Sequence, residues 1–126
     1  MIPLVLLIED NEQNRYLATF LLERNGYRVV SAIDGPSGIE LAKTLHADLI
    51  LLDIQLPGMD GYAVARMLRT TVELRYTPII AVTSYAMVGD REKTIAAGCN
   101  GYIEKPINPD TFVEEISRFL PGLSAS

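Results

Sequence analysis

Acidic, hydroxyl and basic side chains stand in this chain where apolar runs stop. Leu4–Ile8 is followed by Glu9-Asp10, Leu49–Leu52 by Asp53, and the run after Pro78 by Thr83, while Lys105 follows the more mixed strand-like stretch from Asn100 to Glu104. If these runs are parallel strands, their carboxyl ends share one sheet edge, the edge at which open α/β sheets bind ligands. Carboxylates gathered there repel: two unit charges 4 Å apart cost about 4 kcal/mol at an effective dielectric of 20. A divalent cation removes that cost. Mg²⁺ suits the set best, because it takes one or two carboxylates, keeps waters and completes its octahedron with a phosphate oxygen. Lys105 adds a point positive charge for phosphate oxygens, and Thr83 a hydroxyl able to donate to one. The constellation reads as a metal plus a phosphoryl group. Asp53 ends the run expected to be buried on both faces and precedes the Pro57-Gly58 turn, so we read it as the nucleophile.

The elements that must position these residues follow from patterning. Leu4–Ile8 predicts a buried strand. Asn11 can cap the next helix, which runs to about Asn25 with Leu17, Ala18, Leu21 and Leu22 as its core stripe. Tyr27–Ile33, rich in β-branched residues, predicts a second strand. Asp34-Gly35-Pro36 starts a second helix with Ile39, Leu41, Ala42 and Leu45 inward. The Asp53 strand is third. Asp60 or Gly61 opens a helix with Val64, Met67 and Leu68 as core. Thr77–Val82 is a fourth strand, Gly89–Ala97 a short helix, and Asn100–Glu104 a fifth strand. Asn108-Pro109-Asp110 starts a last helix, along which Phe112, Val113, Ile116, Phe119 and Leu120 repeat at helical spacing, and Pro121-Gly122 ends the domain. Strict alternation of short buried strands and helices implies a parallel sheet covered on both faces.

Composition narrows the function classes. At 126 residues with 48% hydrophobic residues, the chain forms one domain with a substantial core, expected over residues 1–121 with a short tail at 122–126 and no output domain. A net charge of −5, with no evident basic face, argues against direct nucleic acid binding. Cys99 is the single cysteine, which suits a reducing compartment. Residues 2–8 are apolar but lack a basic segment before them and meet two acids after them, so neither a signal peptide nor a membrane span is expected; the expected location is cytoplasmic.

The acid pair, the Asp53 acceptor with Leu56-Pro57-Gly58-Met59-Asp60-Gly61, Thr83 and Lys105-Pro106 resemble, in order and spacing, the receiver domain of two-component response regulators. The segments Val82–Met87 and Gly98–Tyr102 are similar to stand-alone receivers of the DivK kind. The resemblance implies a flavodoxin-like doubly wound (βα)5 fold with strand order 2-1-3-4-5. It also implies a phosphoacceptor switch rather than a turnover enzyme. Asp53 would take a phosphoryl group from a phosphohistidine of a histidine kinase or histidine phosphotransfer protein. Mg²⁺ would be held by Asp10, Asp53 and the backbone carbonyl of Gln55, with Glu9 acting mainly through water. Lys105 would follow into a cis peptide with Pro106. Thr83 would move onto the phosphoryl group and Tyr102 would turn inward, reshaping a protein-binding surface for a downstream target. Asn11, Asn14, Pro106 and Ile107 would meet the partner, and the chain would be a monomer or weak homodimer. Relay intermediate and phosphate sink remain alternatives.

Several residues have plainer readings. In the family, Gln55 and Tyr85 stand where phosphoryl lifetime is set. His46 is read as surface and Cys99 as a small core or loop residue. If Leu17, Ala18, Leu21 and Leu22 face the core, Tyr16 and Phe20 adjoin on the outer helix face, where they are expected to widen a docking surface for a helical partner beside Asn11, Asn14, Pro106 and Ile107. A metal-dependent phosphatase is a competing reading, but it would place an Asp-x-Asp nucleophile after the first strand, where this chain has Glu9-Asp10-Asn11. Flavin binding lacks a phosphate loop at the same place.

Overall fold

The computed structural model describes residues 2–84 and 90–120. Five parallel strands, β1 (Leu4–Ile8), β2 (Arg28–Ala32), β3 (Leu49–Asp53), β4 (Ile79–Thr83) and β5 (Gly101–Glu104), form one sheet in the order β2-β1-β3-β4-β5. Among the described residues the α-helices are α1 (Glu12–Arg24), α2 (Gly35–Leu45), α3 (Gly61–Thr70), α4 (Asp90–Ala96) and α5 (Phe112–Ser117). Every residue of β3 and β4 is buried. Interior strands covered on both faces lose the apolar–polar alternation of an exposed sheet, which is why these two read as continuous apolar runs.

Two cores flank the sheet. On one face Leu6, Ile8, Ile50, Leu52, Ile79 and Ala81 meet α2 and α3 through Ile39, Ala42, Val64 and Leu68. On the other, Val5, Leu7, Leu49, Leu51, Ile80 and Val82 meet α1 and α5 through Ala18, Leu22, Phe112 and Ile116. The alternation of successive side chains across β1, β3 and β4 sorts them between the two layers. Caps set where the helices begin. Asn11 accepts from Asn14 N–H, Asp34 from Ser37 N–H and Asp60 from Tyr62 N–H, each an otherwise orphaned first-turn donor.

The structure corrects some boundaries. Met67 is 48% exposed and is not a core residue; Gly61 and Ala65 join Val64 and Leu68 on the inner face of α3. Ile33 lies beyond β2 and is 58% exposed. Asn108-Pro109-Asp110 opens a turn rather than the helix itself: Asn108 Oδ1 accepts from Asp110 N–H, its carbonyl accepts from Phe112 N–H, and α5 begins only at Phe112. A 3-10 turn at Val72–Leu74, unmarked in the sequence, leads into β4. α5 stops at Ser117, short of the expected Phe119 and Leu120. The expected helix start at Gly89, the lifetime position Tyr85, the domain end at Pro121-Gly122 and the tail at 122–126 lie outside the described residues.

Candidate functional site

The sheet topology brings the ends of β1, β3, β4 and β5 to one edge, and with them Glu9, Asp10, Asp53, Thr83 and Lys105. Asp53 is the last residue of β3 and is 2% exposed. One of its oxygens accepts from the Gln55 N–H at 2.9 Å, and the other lies 3.3 Å from Lys105 Nζ. Lys105 follows β5, hangs its own N–H on the Thr83 carbonyl at 2.8 Å and enters a cis peptide with Pro106. Its ammonium also reaches Glu9 Oε1 at 2.9 Å. Glu9 is 3% exposed, and its other oxygen accepts from the Asn11 N–H at 3.1 Å. Thr83 is buried at the end of β4, level with Glu104 of β5.

One carboxylate oxygen from each of Glu9, Asp10 and Asp53 lies within 4.8 Å of the others. Burial, and then the neighbouring Asp53 carboxyl, push the Glu9 acid up to about 7 against the pull of Lys105. The residues fit a hard divalent ion. All donors are oxygens, and three carboxylates face one ammonium, leaving two formal negative charges. Glu9, largely committed to Lys105 and Asn11, is placed less directly for an ion than exposed Asp10.

Other expected residues fall around this centre. The Gln55 side chain bridges to the next loop, its Oε1 accepting from the Ser84 N–H at 3.0 Å. Tyr102 is half-buried on β5 and lines a cavity of about 590 Å³ between α4, β5 and α5, with Ile95, Pro106 and Phe119. Asn11 is committed as the α1 cap, Asn14 and Ile107 are half-buried, and Pro106 is exposed. Tyr16 and Phe20 do point outward, 72% and 46% exposed, with ring centroids 6.3 Å apart. The groove they line runs toward Ser31 of β2, and none of Asn11, Asn14, Pro106 or Ile107 lines it. His46 is exposed at the end of α2 with φ 52°, and Cys99 is buried.

Arg15 is a residue that sequence reading passed over. Its guanidinium Nη1 donates to the carbonyls of both Glu9, at 3.0 Å, and Asp10, at 2.9 Å. The signal was available: Arg15, half-buried, stands one turn before the buried Ala18 on α1, at the flank of the apolar stripe, where a guanidinium needs acceptors.

Comparison with known proteins agrees with this geometry. The response regulator receiver domain family matches residues 5–117. The polar-differentiation response regulator DivK of Brucella ovis is 44% identical over 116 residues, covering 92% of this chain and 94% of that protein. The chemotaxis response regulator CheY4 of Vibrio cholerae superposes with a TM-score of 0.91 at 28% identity, covering 95% of this chain and all of that one. The receiver domain of a Pseudomonas aeruginosa sensor histidine kinase, crystallised with a magnesium ion coordinated in its active-site cleft, gives 0.87 at 36% identity over 94% of this chain and 98% of its own. No helix among the described residues is long and apolar enough to cross a membrane. With the matching fold and acid–threonine–lysine edge in place, this chain belongs to the response regulator receiver domain family.

Proposed function

We propose that this chain is a DivK-like phosphoacceptor switch, in which Asp53 takes a phosphoryl group from a phosphohistidine on a histidine kinase or histidine phosphotransfer protein. The observation that carries the reading is Asp53 at the tip of β3, buried, bonded by the Gln55 N–H and faced by Lys105. In the transfer an Asp53 carboxylate oxygen forms the new P–O bond while the P–N bond breaks. The imidazole nitrogen leaves with the electron pair and is reprotonated on the donor. The residues supply position and charge, which dominate phosphoryl transfer. Asp10, Asp53 and the Gln55 carbonyl would hold Mg²⁺, with Glu9 acting through water. Bound there, the ion would offset charge on the acids and on the phosphoryl oxygens. As an Asp53 oxygen becomes the bridging oxygen of an acyl phosphate, Lys105 releases its hold on Asp53 and turns to a phosphoryl oxygen.

Thr83 would then donate its hydroxyl to the phosphoryl group and Tyr102 would turn inward, a population shift biased by one new charge-assisted contact. The half-buried Tyr102 beside the α4–β5–α5 cavity favours this reading. Asn11, Asn14, Pro106 and Ile107 would border the approach of the phosphodonor, and the reshaped face would engage a downstream protein. We take the protein to be a cytoplasmic monomer or weak dimer that does not itself bind nucleic acid. The test is incubation with acetyl phosphate or phosphoramidate and Mg²⁺, followed by intact mass. One added phosphoryl group in wild type and none in Asp53→Asn is expected. Labelling that survives Asp53→Asn, or that ignores Mg²⁺, would overturn the reading.

A further inference from the structure

The turn joining β1 to α1 must present two carboxylates while having almost no ladder partners of its own. The Glu9 N–H is the last that β2 serves, donating to the Ala32 carbonyl at 3.0 Å. The Asn11 carbonyl accepts from the Arg15 N–H as the helix begins. Between them stand the Glu9 and Asp10 carbonyls, and both accept from Arg15 Nη1. Among the described residues no other donor serves either carbonyl across this turn.

The two carboxylates differ in what restrains them. Glu9 is bonded through its side chain to Asn11 and Lys105. The Asp10 carboxylate is exposed and has no hydrogen-bond or ion-pair partner among the described residues. Its place beside Asp53 is thus set by its backbone, and its backbone by Arg15. The chemistry of the two nearby cations differs in the same sense. Lys105 occupies carboxylate oxygens of Glu9 and Asp53 directly. Arg15 forms no ion pair with Glu9 or Asp10; it spends its donor on their carbonyls and leaves the Asp10 carboxylate open for a metal. One planar guanidinium does this with a fixed geometry that a flexible ammonium lacks.

We infer that Arg15 is a positioning residue for the cation site: by holding the Glu9 and Asp10 carbonyls it keeps the Asp10 carboxylate aimed at the metal position. The inference rests on the phosphoacceptor reading above, and one titration separates the two. Outer groups that orient metal ligands typically contribute 10- to 100-fold to affinity. Calorimetric titration of the full chain with MgCl₂ alone should therefore show Arg15→Met weakened at least about tenfold, and Arg15→Lys in between. Acetyl phosphate labelling of Arg15→Met should be slow at low Mg²⁺ and recover at saturating Mg²⁺, because Arg15 does not touch the phosphoryl group. Leu22→Ala, in the same helix and fully buried, is the control: it should lose stability while keeping Mg²⁺ affinity.

Unchanged Mg²⁺ affinity in folded Arg15→Met overturns the inference, as does an equal loss in Leu22→Ala, which would make the effect general loosening. If Arg15→Met does not fold, Arg15→Lys decides by the same criterion: weakened binding supports the inference and wild-type binding overturns it. Absence of Mg²⁺ binding by the wild-type chain overturns the phosphoacceptor reading itself, and this inference with it.

Discussion

Gly61, the first residue of α3, provides a severe test of how the fold sets the site. A Cβ built there would stand 2.4 Å from the Ile54 Cα, 2.6 Å from its carbonyl oxygen and 2.8 Å from its carbonyl carbon. These are backbone atoms of the residue after Asp53, so no side-chain rotation relieves the overlap. Restoring ordinary contact requires the start of α3 and the Asp53–Gln55 segment to separate by about 1 Å. The Gly61 N–H bond to the Ile54 carbonyl, 3.2 Å long, would be lost in the process. Overpacking of this kind typically costs 1–3 kcal/mol, and the lost bond adds roughly 1 kcal/mol, so Gly61→Ala should lose about 3 kcal/mol. With an unfolding entropy near 2.1 cal/mol/K per residue over 126 residues, that lowers Tm by about 10 °C. A 1 Å misplacement of a reacting group can cost about 10²-fold in rate, so acetyl phosphate labelling of Asp53 should slow by one to two orders of magnitude. Gly58→Ala is the matched control. Gly58 has φ +79° and no atom within 4 Å of its missing Cβ, so alanine there costs about 1 kcal/mol of backbone strain and leaves labelling intact. Thermal melts and intact-mass time courses on both variants suffice. A Gly61→Ala protein that melts within 2 °C of wild type and labels normally would refute the close-approach argument.

Three further outcomes are expected. Lys105→Met leaves Glu9 and Asp53 buried without their shared cation; stability should fall by about 3 kcal/mol, partly relieved by protonation of Glu9, and Mg²⁺ should restore more stability than it adds to wild type in paired melts. Arg69, on α3, donates to the carbonyls of Gly98, Leu74 and Arg75 and to Asn100 Oδ1, pinning α3 to the far edge of the sheet. Arg69→Met should therefore lose about 3 kcal/mol in urea unfolding while the per-molecule labelling rate of Asp53 stays within twofold. Burial pushes the Cys99 thiol up to about 11 from an ordinary value near 9, so the folded state holds this proton more tightly than the unfolded one. The resulting stability is fully present below pH 9 and is lost as pH rises toward 11, by up to about 2–3 kcal/mol. Cys99→Ser should show a flatter decline over that window, and an identical decline would exclude the thiol as its source.

Much of this protein is legible in its amino-acid sequence. Strands buried on both faces read as unbroken apolar runs, and the polar residues ending four of the five strands mark the edge where a parallel sheet works. That logic located Asp53, Thr83, Lys105 and the acid pair, because each is one covalent step from a patterned element. The cap residues Asn11, Asp34 and Asp60 were readable for the same reason, being local and acting within three residues. What tertiary structure alone decided is which groups meet across elements. Met67 follows the helical period yet faces outward, since the inner face of α3 narrows onto Gly61, Val64, Ala65 and Leu68. Lys105 chooses Glu9 as well as Asp53, Gln55 reaches Ser84 across two loops, and Arg15 turns back on the carbonyls of the acid pair. Periodicity constrains only neighbours along the chain. Distances of a few ångströms between residues remote in sequence depend on strand register and helix docking, which belong to the packed whole.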